Sequence, residues 1–180
     1  MATNQKSKVK HQESARVALL MGSDSDLPTV KEACGVLSNF GVPFVVHVLS
    51  AHRTPEDLVA FVKQAEQEGV QVFIAAAGGA AHLAGVVAAH TTRPVVGIPI
   101  QTSSLNGLDS LLSIVQMPGG IPVATMAIGS AGARNAGLFA IQVLALADAD
   151  LAENLKRQRA EQMEQVRQDD LRVQKEFIGT

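Results

Sequence analysis

The sequence predicts an α/β protein, a three-layer α/β/α sandwich around a parallel five-stranded sheet, with a charged helical extension at its carboxyl end. Three observations carry that expectation. Short apolar runs, free of charge and long enough only for strands, alternate with segments whose apolar residues recur at helical spacing. The runs lack the polar alternation of a sheet with one wet face. They therefore read as strands buried on both faces, as in a parallel sheet whose right-handed crossovers lay helices on either side. Turn residues, glycine above all, stand where most runs end.

Val17-Ala18-Leu19-Leu20-Met21, closed by Gly22, is the first strand. Asp26 can cap the next segment and Pro28 suits its first turn, while Val30, Ala33, Cys34 and Leu37 form a one-sided helical stripe that stops before Gly41. Residues 44–49 make the second strand. Thr54 as N-cap and Pro55 at the first helical position open a helix striped by Leu58, Phe61, Val62 and Ala65 and ended by Gly69. A third strand over 70–76 leads through Gly78-Gly79 to a helix near 81–90, which Pro94 keeps from continuing. A fourth strand at 95–98, a helix at 108–116, a fifth strand at 123–128 and a helix at 131–146 complete the pattern.

Two of these segments, 82–89 and 137–147, are apolar or small nearly all round. A monomer of this size cannot easily enclose such helices, so burial against other copies is expected, and with it a homo-oligomer. From Asp148 onward the chain is charged, with a thin stripe of Leu151, Leu155 and Val166 that suits either docking on a neighbour or a solvated helix. The expected division is a disordered tail at 1–15, an α/β domain at 16–147 and the extension at 148–180.

Composition narrows the function. The 180 residues are 47% hydrophobic but only 3% aromatic, with no Trp or Tyr, so small aliphatic side chains must build the interior. A net charge of −2 and the scarcity of stacking rings leave no footprint for nucleic acid. A lone Cys34 excludes an intrachain disulfide and fits a reducing compartment; its place on an apolar helical face marks it as packing. Residues 1–14 lack the apolar core of a secretory signal. The uncharged stretches 72–89 and 110–133 are interrupted by Gly78-Gly79 and His82, and by Pro118-Gly119-Gly120 and Pro122, so neither suits a bilayer. A cytoplasmic protein is expected.

In a parallel sheet all strand carboxyl ends face one edge, which should bring together Gly22-Ser23-Asp24-Ser25-Asp26, Ser50-Ala51-His52-Arg53-Thr54 and the loop 77–82. The first and third offer hydroxyls, small residues and backbone N–H groups to an anion, and Arg53 adds a fixed cation. Asp26 can accept from sugar hydroxyls, and His52 titrates near neutral pH. The set reads as a site for a phosphorylated ribose compound. Each piece also has a purely structural reading: Asp26 as a helix cap, Gly78-Gly79 as a turn, His82 as a packed histidine bonded to a carbonyl. The five histidines show no zinc-ligand spacing, so no metal is expected. Triphosphate and dinucleotide loops are missing.

Four segments, Met21-Gly-Ser-Asp-Ser-Asp26, Ser50-Ala-His-Arg-Thr-Pro55, Ala77-Gly-Gly-Ala-Ala-His82 and Asp109-Ser-Leu-Leu-Ser-Ile-Val-Gln-Met-Pro118, together resemble the class I 5-(carboxyamino)imidazole ribonucleotide mutases of purine (IMP) biosynthesis, also called phosphoribosylaminoimidazole carboxylase catalytic subunits. The resemblance runs in order from about residue 16 to 146. It implies a flavodoxin-like sandwich assembled as a homo-octamer, and an isomerase that needs no cofactor and no ATP. The reaction moves a carboxylate from the exocyclic nitrogen of the imidazole ribonucleotide to ring carbon 4. The resemblance also implies a functional link to the carboxyaminoimidazole ribonucleotide synthetase that makes the substrate.

By position the resemblance gives His52 the proton transfer, Ser23 and Asp26 the ribose and phosphate contacts, and Arg53 the phosphate. Ser25, Ser50 and Ala51 join the substrate-binding set, as do Gly78, Gly79, Ala80, His82 and Leu83, with the small residues of the third loop lining a dry pocket. Arg53 favours class I, since class II relatives carry Lys beside the loop histidine. Two departures stand out. Leu83-Ala84-Gly85 replaces the family's more usual Leu-Pro-Gly, and Asp24 sets a negative charge beside a phosphate loop. Two other functions share parts of this pattern: a flavodoxin-type electron carrier, disfavoured by the lack of Trp and Tyr, and a sugar-phosphate sensor that would need the loops but not His52.

Overall fold

The computed structural model describes residues 14–178. The expected tail, except for Ser14 and Ala15, lies outside the described residues. Five strands, β1 (Val17–Met21), β2 (Phe44–Val48), β3 (Val72–Ala77), β4 (Val95–Pro99) and β5 (Ala124–Thr125), form one sheet in the order β2-β1-β3-β4-β5. Every pairing is parallel. This is the flavodoxin-like doubly wound order, and it turns back on itself between β1 and β3.

The helices are α1 (Leu27–Asn39), α2 (Pro55–Gln67), α3 (Leu83–Ala88), α4 (Leu108–Val115), α5 (Ser130–Ala145) and α6 (Ala149–Phe177). The strands' two-residue alternation divides the core in two. Val17, Leu19, Ile74, Ala76, Val96 and Ile98 face α1 and α5. Ala18, Leu20, Phe73, Ala75 and Val95 face α2, α3 and α4. β1, β3 and β4 are buried along their whole length, which is why their sequences carry no polar alternation.

Tight contacts explain two glycines of α5. A Cβ at Gly132 would overlap the Ala127 carbonyl oxygen, and one at Gly137 would lie 3.0 Å from the Val36 Cβ and 3.1 Å from the Ala33 oxygen. Close approach of α5 to the sheet edge and to α1 therefore depends on the missing side chains.

Several boundaries differ from expectation for local reasons. β5 pairs over only two residues instead of 123–128. Met126 still donates to Gly97, but the strand beside it ends in Pro99, which has no N–H to extend a ladder. α3 starts later than 81, because Ala81 and His82 donate back to Gly79 and Ala80 in tight turns. Neither expected cap forms: Asp26 and Thr54 make no side-chain cap bond. Ser23 instead caps a short 3₁₀ turn (Asp24–Asp26), and the Thr54 hydroxyl bonds Ser50 within its own loop.

Asp148 anchors the start of α6. Its carboxylate accepts from Leu151 N–H at the start of α6 and pairs with Arg16 at 2.7 Å. The Arg16 hydrogen bond, then the Leu151 N–H, hold its pKa below the ordinary carboxylate value. Leu151 is buried and Leu155 packs on the core, but Val166 is exposed. No helix among the described residues is long and apolar enough to cross a membrane.

Candidate active site

The loops at the carboxyl ends of β1, β2 and β3 meet at the point where the strand order reverses, and line an open cavity of about 460 Å³. Each loop is tied by its own hydroxyls. Ser23 Oγ accepts from Ser25 N and lies 2.9 Å from Ser25 Oγ. Ser50 Oγ accepts from the N–H groups of His52 and Arg53, so this serine, two residues past β2, folds the next three residues round itself. Arg53 Nη2 donates to the Gly22 carbonyl at 2.7 Å and locks the second loop to the first.

Asp26 is buried beneath the first loop, with its Oδ1 taking a bond from the Ser25 hydroxyl. Burial pushes its carboxyl above the ordinary value. Bonds from Ser25 and Ser23 oppose the rise, and the charge of Asp24 adds to it. With no helix cap to make, this carboxylate stands at the cavity as an acceptor.

His52 and His82 come from loops thirty residues apart and meet ring to ring. His52 Nε2 and His82 Nδ1 are 2.8 Å apart, with the rings edge to face at 82°. His82 is thus neither packed away nor bonded to a carbonyl. One of the two nitrogens must carry the shared proton and the other accept it.

Of the twelve expected site residues, eleven line the cavity: Ser23, Ser25 and Asp26 from the first loop; Ser50, Ala51, His52 and Arg53 from the second; Gly78, Ala80, His82 and Leu83 from the third. Gly79 does not. At φ +65° it turns away, and its N–H and carbonyl bond Ser110 and Ser113 of α4. Gly22 and Ala77 complete the first and third loops, and Ile100, Gln101 and Thr102, after β4, add a fourth wall that sequence reasoning missed. The signal was present: a fourth parallel strand must end at the same edge as the other three.

The assembled chemistry is a cation, an acceptor carboxylate, several hydroxyls and an imidazole pair around one small chamber. Such a chamber can hold an anionic sugar at one end and move a proton at the other.

Comparison with known proteins gives the family and the fold. The family model described as AIR carboxylase matches residues 16–165. The N5-carboxyaminoimidazole ribonucleotide mutase of Bacillus subtilis is 55% identical over 143 residues, covering 79% of this chain and 88% of that protein. The mutase of the same name from Escherichia coli K12 is 53% identical over 152 residues, covering 84% and 90%. Among solved structures, Treponema denticola PurE superposes with a TM-score of 0.79 at 28% identity, covering 86% of this chain and 95% of that one.

Proposed function

The chain belongs to the AIR carboxylase family, and we propose that it works there as the mutase for which its relatives are named, with His52 as the general acid and base. The substrate is N5-carboxyaminoimidazole ribonucleotide and the product 4-carboxy-5-aminoimidazole ribonucleotide, a step of purine biosynthesis. The observation that carries the site assignment is the meeting of His52, Arg53 and Asp26 from separate loops around one chamber.

Arg53 and the serine loops bind the phosphate, and Asp26 accepts from the ribose hydroxyls. The carbamate C–N bond breaks, its electron pair stays on nitrogen, and protonated His52 supplies that nitrogen with a proton. Carbon dioxide remains in the chamber. Carbon 4 of the ring attacks it, forming the new C–C bond, and neutral His52 removes the carbon 4 proton to restore aromaticity. Each proton transfer regenerates the form of the imidazole that the other requires. No oxidant, reductant or nucleotide triphosphate enters the balance, which is why a cofactor-free reading suits the chemistry.

The working unit is a homo-octamer in the cytoplasm, supplied by the synthetase that makes the unstable carbamate. Exposed apolar side chains support assembly: Leu105 precedes α4, Leu108, Leu112 and Val115 run along it, and Leu146 is 89% exposed after α5. The domain is read as residues 16–147, with 148–180 as the extension and 1–15 as a tail.

Isotope retention tests the reaction. Unlabelled substrate turned over in ¹³C-bicarbonate buffer should give product with an unlabelled carboxylate, because the trapped gas does not exchange. Product carrying the buffer's label would replace this reading with direct carboxylation.

A further inference from the structure

We infer that Ser110 is a positioning residue for this reaction, fixing the loop that delivers His82 to His52; the inference rests on the mutase reading above. Ser110 lies in the first turn of α4, is fully buried and is not part of the cavity wall. A buried hydroxyl is costly unless bonded. This one is bonded twice, and to neither neighbour in its own helix. Its Oγ donates to the Ile100 carbonyl at 2.7 Å and accepts from Gly79 N–H at 2.9 Å, joining the loops after β3 and β4.

One turn further along α4, Ser113 Oγ lies 3.2 Å from the Gly79 carbonyl and 2.8 Å from that of Asp109. Both polar backbone groups of Gly79 are therefore met by α4 side chains. From Gly79 the chain has little slack: Ala81 N–H donates back to Gly79 and His82 N–H to Ala80, each at 2.8 Å. His82 then places Nδ1 against His52. A hydroxyl outside the chamber thus sets the imidazole pair through four residues of taut backbone. The Arg53 side of the site is tied separately, through Gly22.

That division makes the role measurable. In Ser110→Ala, Gly79 N–H loses its acceptor and the loop relaxes, so kcat should fall about tenfold or more while KM stays within about twofold. Nitrogen-15 spectra of the ligand-free, full-length protein should lose the signature of the imidazole–imidazole hydrogen bond. Ser110→Thr, which keeps the hydroxyl, should restore both. A folded Ser110→Ala with unchanged kcat and an intact imidazole signature overturns the inference, as does a loss that falls on KM alone. Should Ser110→Ala not fold, Ser113→Ala, which removes only the carbonyl contacts, must show the same kcat-selective loss; unchanged kcat there overturns it. Were the wild-type protein to show no mutase turnover, the assigned reaction would fail, and the imidazole spectra would still decide the positioning role.

Discussion

His52 and His82 share a hydrogen bond of 2.8 Å between Nε2 and Nδ1, although thirty residues and a whole α2–β3 unit separate them. If His52 is the acid and base proposed above, this bond would let His82 orient its ring, as second groups orient catalytic imidazoles generally. His82→Phe keeps an aromatic ring and removes the nitrogen. It should lower kcat roughly tenfold to a hundredfold with the fold intact, as read by steady-state kinetics beside a melting curve; wild-type kcat would show that His52 needs no orienting partner.

Arg53 is the cation of the site. Arg53→Ala should raise KM by roughly ten- to a hundredfold, the equivalent of about 1.5–3 kcal/mol for a charge-assisted hydrogen bond, with a smaller effect on kcat. Arg53→Lys should recover part of the loss, since it restores charge but not the planar fork. Equal KM values across wild type, Ala and Lys variants would remove Arg53 from the phosphate site.

Asp26 binds its proton more tightly in the folded protein than in the unfolded chain, because burial raises its pKa above 3.8. For an acid shifted in this direction, stability is highest below the unfolded value and is lost as pH rises through the folded one. Ionised Asp26 is thus a cost to the empty enzyme at neutral pH. Asp26→Asn should melt higher than wild type at pH 7 and bind substrate less tightly, and the melting gap should close as pH falls toward 4. A gap that widens in acid would contradict the burial argument.

Gly132 and Gly137 give a graded test of packing. Gly132→Ala sets a methyl group into the Ala127 carbonyl and should cost about 3 kcal/mol, whereas Gly137→Ala meets Val36 and the Ala33 oxygen only at 3.0–3.1 Å and should cost nearer 1 kcal/mol. Denaturant unfolding of both variants measures the order, and equal costs would mean that α5 shifts freely.

Much of this was legible in the sequence because its causes are local. The uncharged runs of β1 and β3 announce burial on both faces, and the Ser-x-His-Arg-Thr-Pro pattern announces a loop feeding a helix. The limits were set by contacts between distant residues. Nothing near Thr54 reveals that its hydroxyl would fold back on Ser50 rather than cap α2, and nothing near His82 names His52 as its partner. Ser110 stood inside a recognised motif without a role, since the groups it bonds, Gly79 and Ile100, lie 31 and 10 residues away. Gly79 was misplaced for the same reason: its neighbours line the chamber while its own peptide turns to α4.

The central claim is that His52 moves the protons of carboxylate transfer. His52→Asn keeps the size and polarity of the side chain but cannot act as the acid and base. Substrate binding measured by calorimetry should remain close to wild type, while formation of 4-carboxy-5-aminoimidazole ribonucleotide without ATP should fall by roughly a hundredfold to ten-thousandfold. Undiminished turnover in the folded variant would contradict the account.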